Sequence, residues 1–160
     1  MKGDGGMLNH FLMNAKLLNE KMQIIPLLYG SLGLSQLISE ELHPDDIDML
    51  VPKAFLTERW DEFRCMLEQA DYTLTDEREH TFVKNGVFYA YAEIEELESF
   101  AGICAEDIAE YGEGSVRYKR LSLRQYLSVY QASAKDGYRI EVREKKDQEK
   151  IDLIVECLEK

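Results

Sequence analysis

The order of hydrophobic patterns along the chain predicts an α+β domain, in which helices back a mixed sheet and a short helical extension ends the fold. Three observations support this prediction. Helix-period and strand-period segments alternate through the first half, Asn85-Gly86 marks a hairpin, and helix-period segments dominate after about residue 122. The 160 residues are about the length of one domain. We therefore predict a flexible N-terminus over 1–7 and a single domain over 8–160, with its helical C-terminal part at about 122–160.

The first half of the chain begins with an amphipathic helix, predicted over about 8–22 because apolar residues recur there at the i, i+3, i+4, i+7 spacing. The apolar run at 24–29 predicts a short buried strand that ends before a glycine. A helix from 31 to about 41 follows, and the alternating segment Asp46–Val51 predicts a second strand. Thr57 is then expected to cap a third helix.

The dipeptide Asn85-Gly86 predicts a two-residue type I′ turn that joins strands at 80–84 and 87–94. Strand alternation sorts the side chains of this hairpin onto two faces. One face is small and apolar, and it comprises Thr81, Val83, Phe88, Ala90, Ala92 and Ile94. The other is aromatic and polar, and it comprises His80, Phe82, Lys84, Val87, Tyr89, Tyr91 and Glu93. We expect the small face to pack against a helix and the aromatic face to line an open cleft.

Beyond the hairpin, a loop-rich stretch precedes a further strand, which is predicted at 116–121. Ser122 is expected to cap a helix that runs to about Ala134. The apolar spacing near the end of the chain predicts a last helix over 146–160.

The charge and cysteine content argue against several classes of protein. The 19 Lys+Arg and 31 Asp+Glu residues give a net charge of −12, whereas DNA- and RNA-binding proteins need a basic face. No apolar run approaches the ~20 residues of a membrane span, and the first residues lack the apolar stretch of a secretory leader. The three cysteines form no CxxC pair, so we expect neither a zinc site nor a disulfide framework. We therefore expect a cytoplasmic location.

The residues that suggest chemistry lie where the first strand ends and where the second begins. Gly30 and Ser31 follow the apolar run, at a predicted helix start whose backbone N–H groups suit a phosphate. Asp46 and Asp48 lie two residues apart on the second strand, so their carboxylates share one face. Two like charges side by side repel each other, and a divalent cation such as Mg²⁺ would remove that repulsion.

This arrangement resembles the nucleotidyltransferase superfamily, whose catalytic domain is shared with DNA polymerase beta. The superfamily pattern is an apolar strand, Gly-Gly or Gly-Ser, a helix, and then Asp-apolar-(Asp or Glu)-apolar. Gly30, Ser31, Asp46 and Asp48 match this pattern one for one, within the segment 24–51. The remainder of the chain, through the hairpin, is similar to small bacterial enzymes that modify aminoglycosides and lincosamides. The resemblance implies a nucleotidyltransferase-type mixed sheet for the domain.

Members of the superfamily usually carry a third carboxylate on a later strand. On the hairpin, Glu93 belongs to the aromatic face that is expected to line the cleft, so we take Glu93 as the third carboxylate. Glu95 has the same strand parity and is the reserve candidate. Both residues belong to an acidic run, and such runs are usually solvated surfaces.

The resemblance implies a Mg²⁺-dependent transfer of a nucleoside monophosphate from an NTP, with ATP the first expected donor, to a hydroxyl of an unknown small molecule. Pyrophosphate would leave. Asp46, Asp48 and Glu93 would be the catalytic, metal-binding carboxylates, while Gly30 and Ser31 would hold the phosphates. The alternative is a superfamily member that has lost turnover and binds a nucleotide or a partner protein, for example as one component of a toxin–antitoxin pair. We expect neither nucleic acid nor a membrane as a partner, and a homodimer stays open as a way to enclose a bulky acceptor.

Overall fold

The computed structural model describes residues 5–38, 46–134 and 140–159, and its strands form one sheet. Within these residues the helices are α1 (Gly5–Met22), α2 (Gly30–Ser35), α3 (Trp60–Gln69), α4 (Glu96–Ala101), α5 (Leu123–Ala134) and α6 (Ile140–Glu159). The strands are β1 (Leu27–Tyr29), β2 (Asp46–Val51), β3 (Thr73–Asp76), β4 (Thr81–Lys84), β5 (Val87–Glu93), β6 (Ala109–Glu113) and β7 (Val116–Arg120).

The strands lie in the order β3-β4-β5-β2-β1-β7-β6. At the centre of the sheet, β1 runs antiparallel to β2 and parallel to β7, and β2 runs parallel to β5. The outer pairs β3–β4, β4–β5 and β6–β7 are antiparallel. The predicted α+β class, with a mixed sheet and packed helices, is therefore confirmed.

One face of the sheet is covered by α1 and α3. Phe11 of α1 meets Tyr118 of β7 edge-on, with ring centroids 5.3 Å apart, and Phe63 of α3 meets Tyr91 of β5 at 5.0 Å. These rings belong to one buried cluster that reaches across the sheet to Phe82 of β4. Burial of these aromatic rings contributes to the hydrophobic stabilisation of the fold.

The opposite face is covered over β1 and β2 but is exposed over β4 and β5. A second buried cluster joins these central strands to α2, α4, α5 and α6 through Leu27, Leu50, Leu34, Leu97, Tyr126 and Ile154. Farther along the same face, Phe88 is 41% exposed and Ala92 is also exposed. This open face comprises Thr81, Val83, Phe88, Ala90 and Ala92.

The two faces of the hairpin are therefore the reverse of the expectation from sequence. Phe82, Tyr89 and Tyr91 are at most 2% exposed and pack under α1 and α3, whereas the small side chains form the open face. Burying an aromatic ring removes more apolar area from water than burying an alanine. Side-chain bulk, rather than the polar hydroxyl groups, decides which face joins the core.

Two local motifs form as predicted. Asn85 and Gly86 join β4 to β5 with positive φ angles of 52° and 79°, as a type I′ turn requires. At the start of α5, the Ser122 hydroxyl accepts a hydrogen bond from the backbone N–H of Gln125 at 3.2 Å. The Gln125 side-chain oxygen accepts one from the Ser122 N–H at 2.8 Å, so the predicted cap is a reciprocal capping box.

Three helices have bounds that differ from the prediction. α1 begins at Gly5, inside the segment 1–7 for which flexibility is predicted, and the part of that segment before Gly5 lies outside the described residues. α2 ends at Ser35, residues 36–38 of its predicted course form a turn, and residues 39–41 lie outside the described residues. α6 begins earlier than predicted, at Ile140. None of the described helices combines the length and the hydropathy needed to cross a bilayer.

Thr57 ends a turn instead of starting a helix. Its hydroxyl donates to the carbonyl of Lys53 at 3.0 Å, because Lys53–Leu56 forms a 3-10 turn directly before it. α3 then begins at Trp60 without a side-chain cap. The predicted cap is therefore wrong.

Candidate functional site

The chain passes from β1 to α2 at Gly30, and the backbone there is left-handed, with φ at +66°. A Cβ atom at this position would lie 2.5 Å from Oδ2 of Asp48 and 3.1 Å from its Cβ. Glycine is the residue that fits here without moving the aspartate or straining the backbone. The Asp48 carboxylate thus lies directly against the connection between β1 and α2.

The register of the central strands explains this contact. In the antiparallel pair β1–β2, Tyr29 lies opposite Asp48, so β2 brings this aspartate to the carboxyl end of β1. Strand alternation puts Asp46 on the same face of β2, and Ser31 is the residue after Gly30. Asp46 is exposed, while Ser31 and Asp48 are half-buried. The structure therefore brings Gly30 against Asp48, with Asp46 on the same face of β2 and Ser31 next along the chain, in a position that solvent can reach.

Two tyrosines line the buried side of Asp48. Burial, with a smaller contribution from the negative charge of Asp48, raises the pKa of Tyr29 to about 12. Tyr126 stacks on Tyr29, with ring centroids 6.5 Å apart, and its hydroxyl donates to the carbonyl of Leu28 at 3.3 Å. Burial also raises the pKa of Tyr126 well above its usual value. Both phenols are therefore neutral at physiological pH, and neither adds charge beside Asp48.

Glu93 lies on the other face of the sheet from Asp46 and Asp48. In the parallel pair β2–β5 it lies opposite Val51, and Val51 belongs to the core under α1 and α3. Because paired residues on neighbouring strands point to the same side of a sheet, this register does not bring Glu93 to the two aspartates. The expectation that Glu93 completes their carboxylate set is corrected on this ground.

Glu95, the reserve candidate, has a structural role. Its carboxylate accepts hydrogen bonds from the backbone N–H of Lys53 at 2.9 and 3.1 Å, which satisfies a free donor at the start of the turn Lys53–Leu56. Among the described residues, no group of three or more His, Cys, Asp or Glu side chains is arranged to hold a metal ion. The described part of the site therefore offers two carboxylates rather than three.

The positions on β5 that face the two aspartates are not acidic. Phe88 lies opposite Asp46, and Ala90 lies opposite Asp48. The sequence signal that could have found this arrangement is the alternation of Tyr89 and Tyr91 with Ala90 and Ala92, because the two tyrosines are buried and the alanines share the face of the aspartates. A third acid beside Asp48 would require an acidic residue in place of Ala90 or a contribution from another element.

Tyr89 and Tyr91, which were expected to line a cleft, belong to the core under α1 and α3. The Tyr91 hydroxyl donates to Oδ1 of the buried Asn14 at 3.0 Å, and burial raises the pKa of both tyrosines. His80, also expected at the cleft, meets the ring of Trp60 edge-on, with centroids 4.8 Å apart. These side chains therefore pack on the α1 and α3 side of the sheet, away from Asp48.

Comparison with known proteins identifies a bacterial relative. No protein-family model matches the chain. It is 37% identical over 146 residues to the uncharacterized protein YnaI of Bacillus subtilis (strain 168), and the alignment covers 91% of this chain and 94% of YnaI. The chain belongs to the YnaI family. Because the alignment spans nearly all of YnaI, the similarity extends over the whole fold rather than over the Gly-Ser segment alone.

Proposed function

We propose that this member of the YnaI family has a nucleotidyltransferase-type fold and site, and that the site binds a nucleoside triphosphate together with Mg²⁺. The observation that supports this most strongly is the contact between Gly30 and Asp48, in which a left-handed glycine lets the connection after β1 approach a carboxylate of β2. In this proposal the backbone of Gly30 and the hydroxyl of Ser31 receive the phosphates. Asp46 and Asp48 hold the ion.

The donor set of the site fits one Mg²⁺ ion. Asp46 and Asp48 share one face of β2, and Mg²⁺ usually binds through one or two carboxylates together with substrate phosphates and water. The described residues provide no third carboxylate for a second ion. When bound, the ion would neutralise phosphate charge and orient the triphosphate. The site therefore supports nucleotide binding more directly than it supports two-metal chemistry.

The charge of the site makes nucleotide binding depend on a cation. The chain has a net charge of −12, and Asp46 and Asp48 place two negative charges where the phosphates would bind. Two unit charges ~4 Å apart interact by about 1–4 kcal/mol, depending on how well water screens them. Without a divalent cation the triphosphate would be repelled, so we expect no binding in the presence of a chelator.

Binding without turnover is the first of two candidate functions. Ala90 lies opposite Asp48, where an acid could complete a two-metal site, and this favours a protein that binds a nucleotide, alone or with a partner protein. The second candidate is transfer of a nucleoside monophosphate to a hydroxyl of a small molecule, and the contact between Gly30 and Asp48, in the arrangement that resembles the nucleotidyltransferase pattern, favours it. Transfer by two metal ions would need a third carboxylate from outside the described residues.

A thermal-shift titration tests the binding proposal. ATP, GTP, CTP and UTP are added with and without Mg²⁺ to the wild type, to Asp46→Asn/Asp48→Asn, and to the control Asp71→Asn. Asp71 is exposed and has a left-handed backbone, which asparagine tolerates. A ligand at ~100 times its Kd adds about 2.7 kcal/mol, which raises the Tm of a domain of this size by roughly 5–10 °C.

We expect a Mg²⁺-dependent rise in Tm for the wild type and the Asp71 variant, and none for the double variant. An equal rise in the double variant would contradict the assignment of Asp46 and Asp48. A folded wild type that responds to no nucleotide would contradict the proposal itself.

Release of pyrophosphate distinguishes the two candidate functions. The wild type and Asp48→Asn are incubated with Mg²⁺, the nucleotide that binds most tightly, and a panel of small molecules with free hydroxyl groups. Release that requires both an acceptor and Asp48 would support transfer. Nucleotide binding without release across the panel would support binding without turnover.

A further inference from the structure

Phe88 presents an aromatic ring to solvent on the open face. It lies between two neighbours in the sheet, opposite Asp46 of β2 on one side and opposite Val83 of β4 on the other. The residue is 41% exposed. Ala90 follows it on the same face, and its methyl group is too small to cover the ring. An accessible aromatic surface therefore lies directly beside the carboxylates of the candidate site.

The order of strands fixes the order of these groups across the site. β1, β2 and β5 are successive neighbours in the sheet. Ser31 follows the end of β1, Asp46 begins β2, and Phe88 lies near the start of β5. Neighbouring strands are about 4.8 Å apart, so the distance from β1 to β5 is about 10 Å. A nucleotide with its phosphates at Ser31 and its ion at Asp46 is long enough for its base to reach Phe88.

We propose that Phe88 is the platform on which the base of the bound nucleotide stacks, an inference that rests on the proposed function. Bases stack on aromatic side chains through their flat faces, and every base has such a face. Besides Asp46, which holds the ion in this proposal, the described side chains directly beside Phe88 are Val83 and Ala90, and neither carries a hydrogen-bonding group that could distinguish one base edge from another. The site therefore accepts all four nucleoside triphosphates, with a modest preference for the larger purines.

Calorimetric titration with two ligands tests this role. In the presence of Mg²⁺, ATP and inorganic tripolyphosphate are titrated into the wild type, Phe88→Ala, Phe88→Tyr and Phe100→Ala. Phe100 is the matched control because it is 42% exposed but lies on α4. We expect Phe88→Ala to weaken ATP binding about tenfold and to leave the affinity for tripolyphosphate unchanged. Phe88→Tyr should retain the affinity for ATP, and Phe100→Ala should change neither ligand.

Other outcomes overturn the inference in distinguishable ways. If Phe88→Ala weakens both ligands equally, or leaves ATP binding unchanged, the ring does not receive the base, although the proposed function stands. If wild type binds tripolyphosphate as tightly as ATP, no base contact exists. If the wild type binds neither ligand, the proposed function fails as well.

Discussion

Replacing Gly30 with alanine would reveal two effects that the structure predicts at this position. The residue has φ of +66°, where an L-amino acid is disfavoured by roughly 1–2 kcal/mol. The added Cβ would also lie 2.5 Å from Oδ2 of Asp48. Gly114 is a matched control, because its φ is +62° and nothing lies within 4 Å of a Cβ built there. Gly114→Ala measures backbone strain alone, whereas Gly30→Ala adds the displacement of Asp48.

The size of the second effect follows from the contacts. Rotation of the carboxylate could relieve the clash with Oδ2, but the Cβ of Asp48 would still lie 3.1 Å away, so the strands must also shift. Overpacking of this kind typically costs 1–3 kcal/mol. We therefore expect Gly114→Ala to lower the free energy of unfolding by about 1–2 kcal/mol, and Gly30→Ala to lower it by about 2–5 kcal/mol.

Urea denaturation followed by the fluorescence of Trp60 measures both free energies of unfolding. Titration of ATP with Mg²⁺ into the same two variants measures the effect on the site. Gly30→Ala should weaken nucleotide binding while Gly114→Ala leaves it unchanged, because only the first displaces Asp48. Equal losses of stability in the two variants, or an unchanged affinity for ATP in Gly30→Ala, would refute the reasoning.

Two further predictions concern the neighbours of Asp48. Ala90→Asp should destabilise the unliganded protein by up to ~1 kcal/mol through like-charge repulsion with Asp48. It should also lower the Mg²⁺ concentration needed for half-maximal thermal stabilisation. The same response in Ala92→Asp would contradict the placement of Ala90 beside the ion. The pKa of Tyr29 is about 12 in the folded protein and about 10 in the unfolded chain. The folded state therefore holds this proton more tightly. The resulting stabilisation is present below pH 10 and is lost as pH rises toward 12. Tyr29→Phe should therefore reduce the slope of the free energy of unfolding against pH in this range, by up to about 1.4 kcal/mol per pH unit. An unchanged slope would show that Tyr29 is not buried as described.

The sequence predicted the parts of the fold that depend on local signals. The turn at Asn85-Gly86 and the cap at Ser122 each require particular residue types at fixed spacing, and the strand Asp46–Val51 has a regular alternation. The edge strands β3 and β6 were missed because nearly all their side chains are exposed. Backbone pairing with β4 and β7 holds them in the sheet, and hydrophobic periodicity does not record such pairing.

In the candidate site, too, some placements follow from local sequence signals and others from tertiary packing. Strand period and residue spacing are sufficient to put Asp46 and Asp48 on one face of β2, and the structure brings Asp48 against Gly30 there. The placement of Glu93 depends instead on which face of β5 the helices cover. Both faces of that strand carry apolar residues, so hydrophobicity alone does not identify the buried face. The packing of α1 and α3 against Tyr89 and Tyr91, which is a tertiary contact, determines it.

The central claim is that Asp46 and Asp48 bind a nucleotide through one divalent ion. Calorimetric titration of ATP, with Mg²⁺ and with a chelator, into the wild type, Asp48→Asn and the control Asp71→Asn tests it most directly. We expect one ATP to bind per chain with Mg²⁺ and none with the chelator. Asp48→Asn should weaken binding by about tenfold or more, as expected for losing a charged contact, and Asp71→Asn should not weaken it. ATP binding that ignores both Mg²⁺ and Asp48→Asn would contradict the claim.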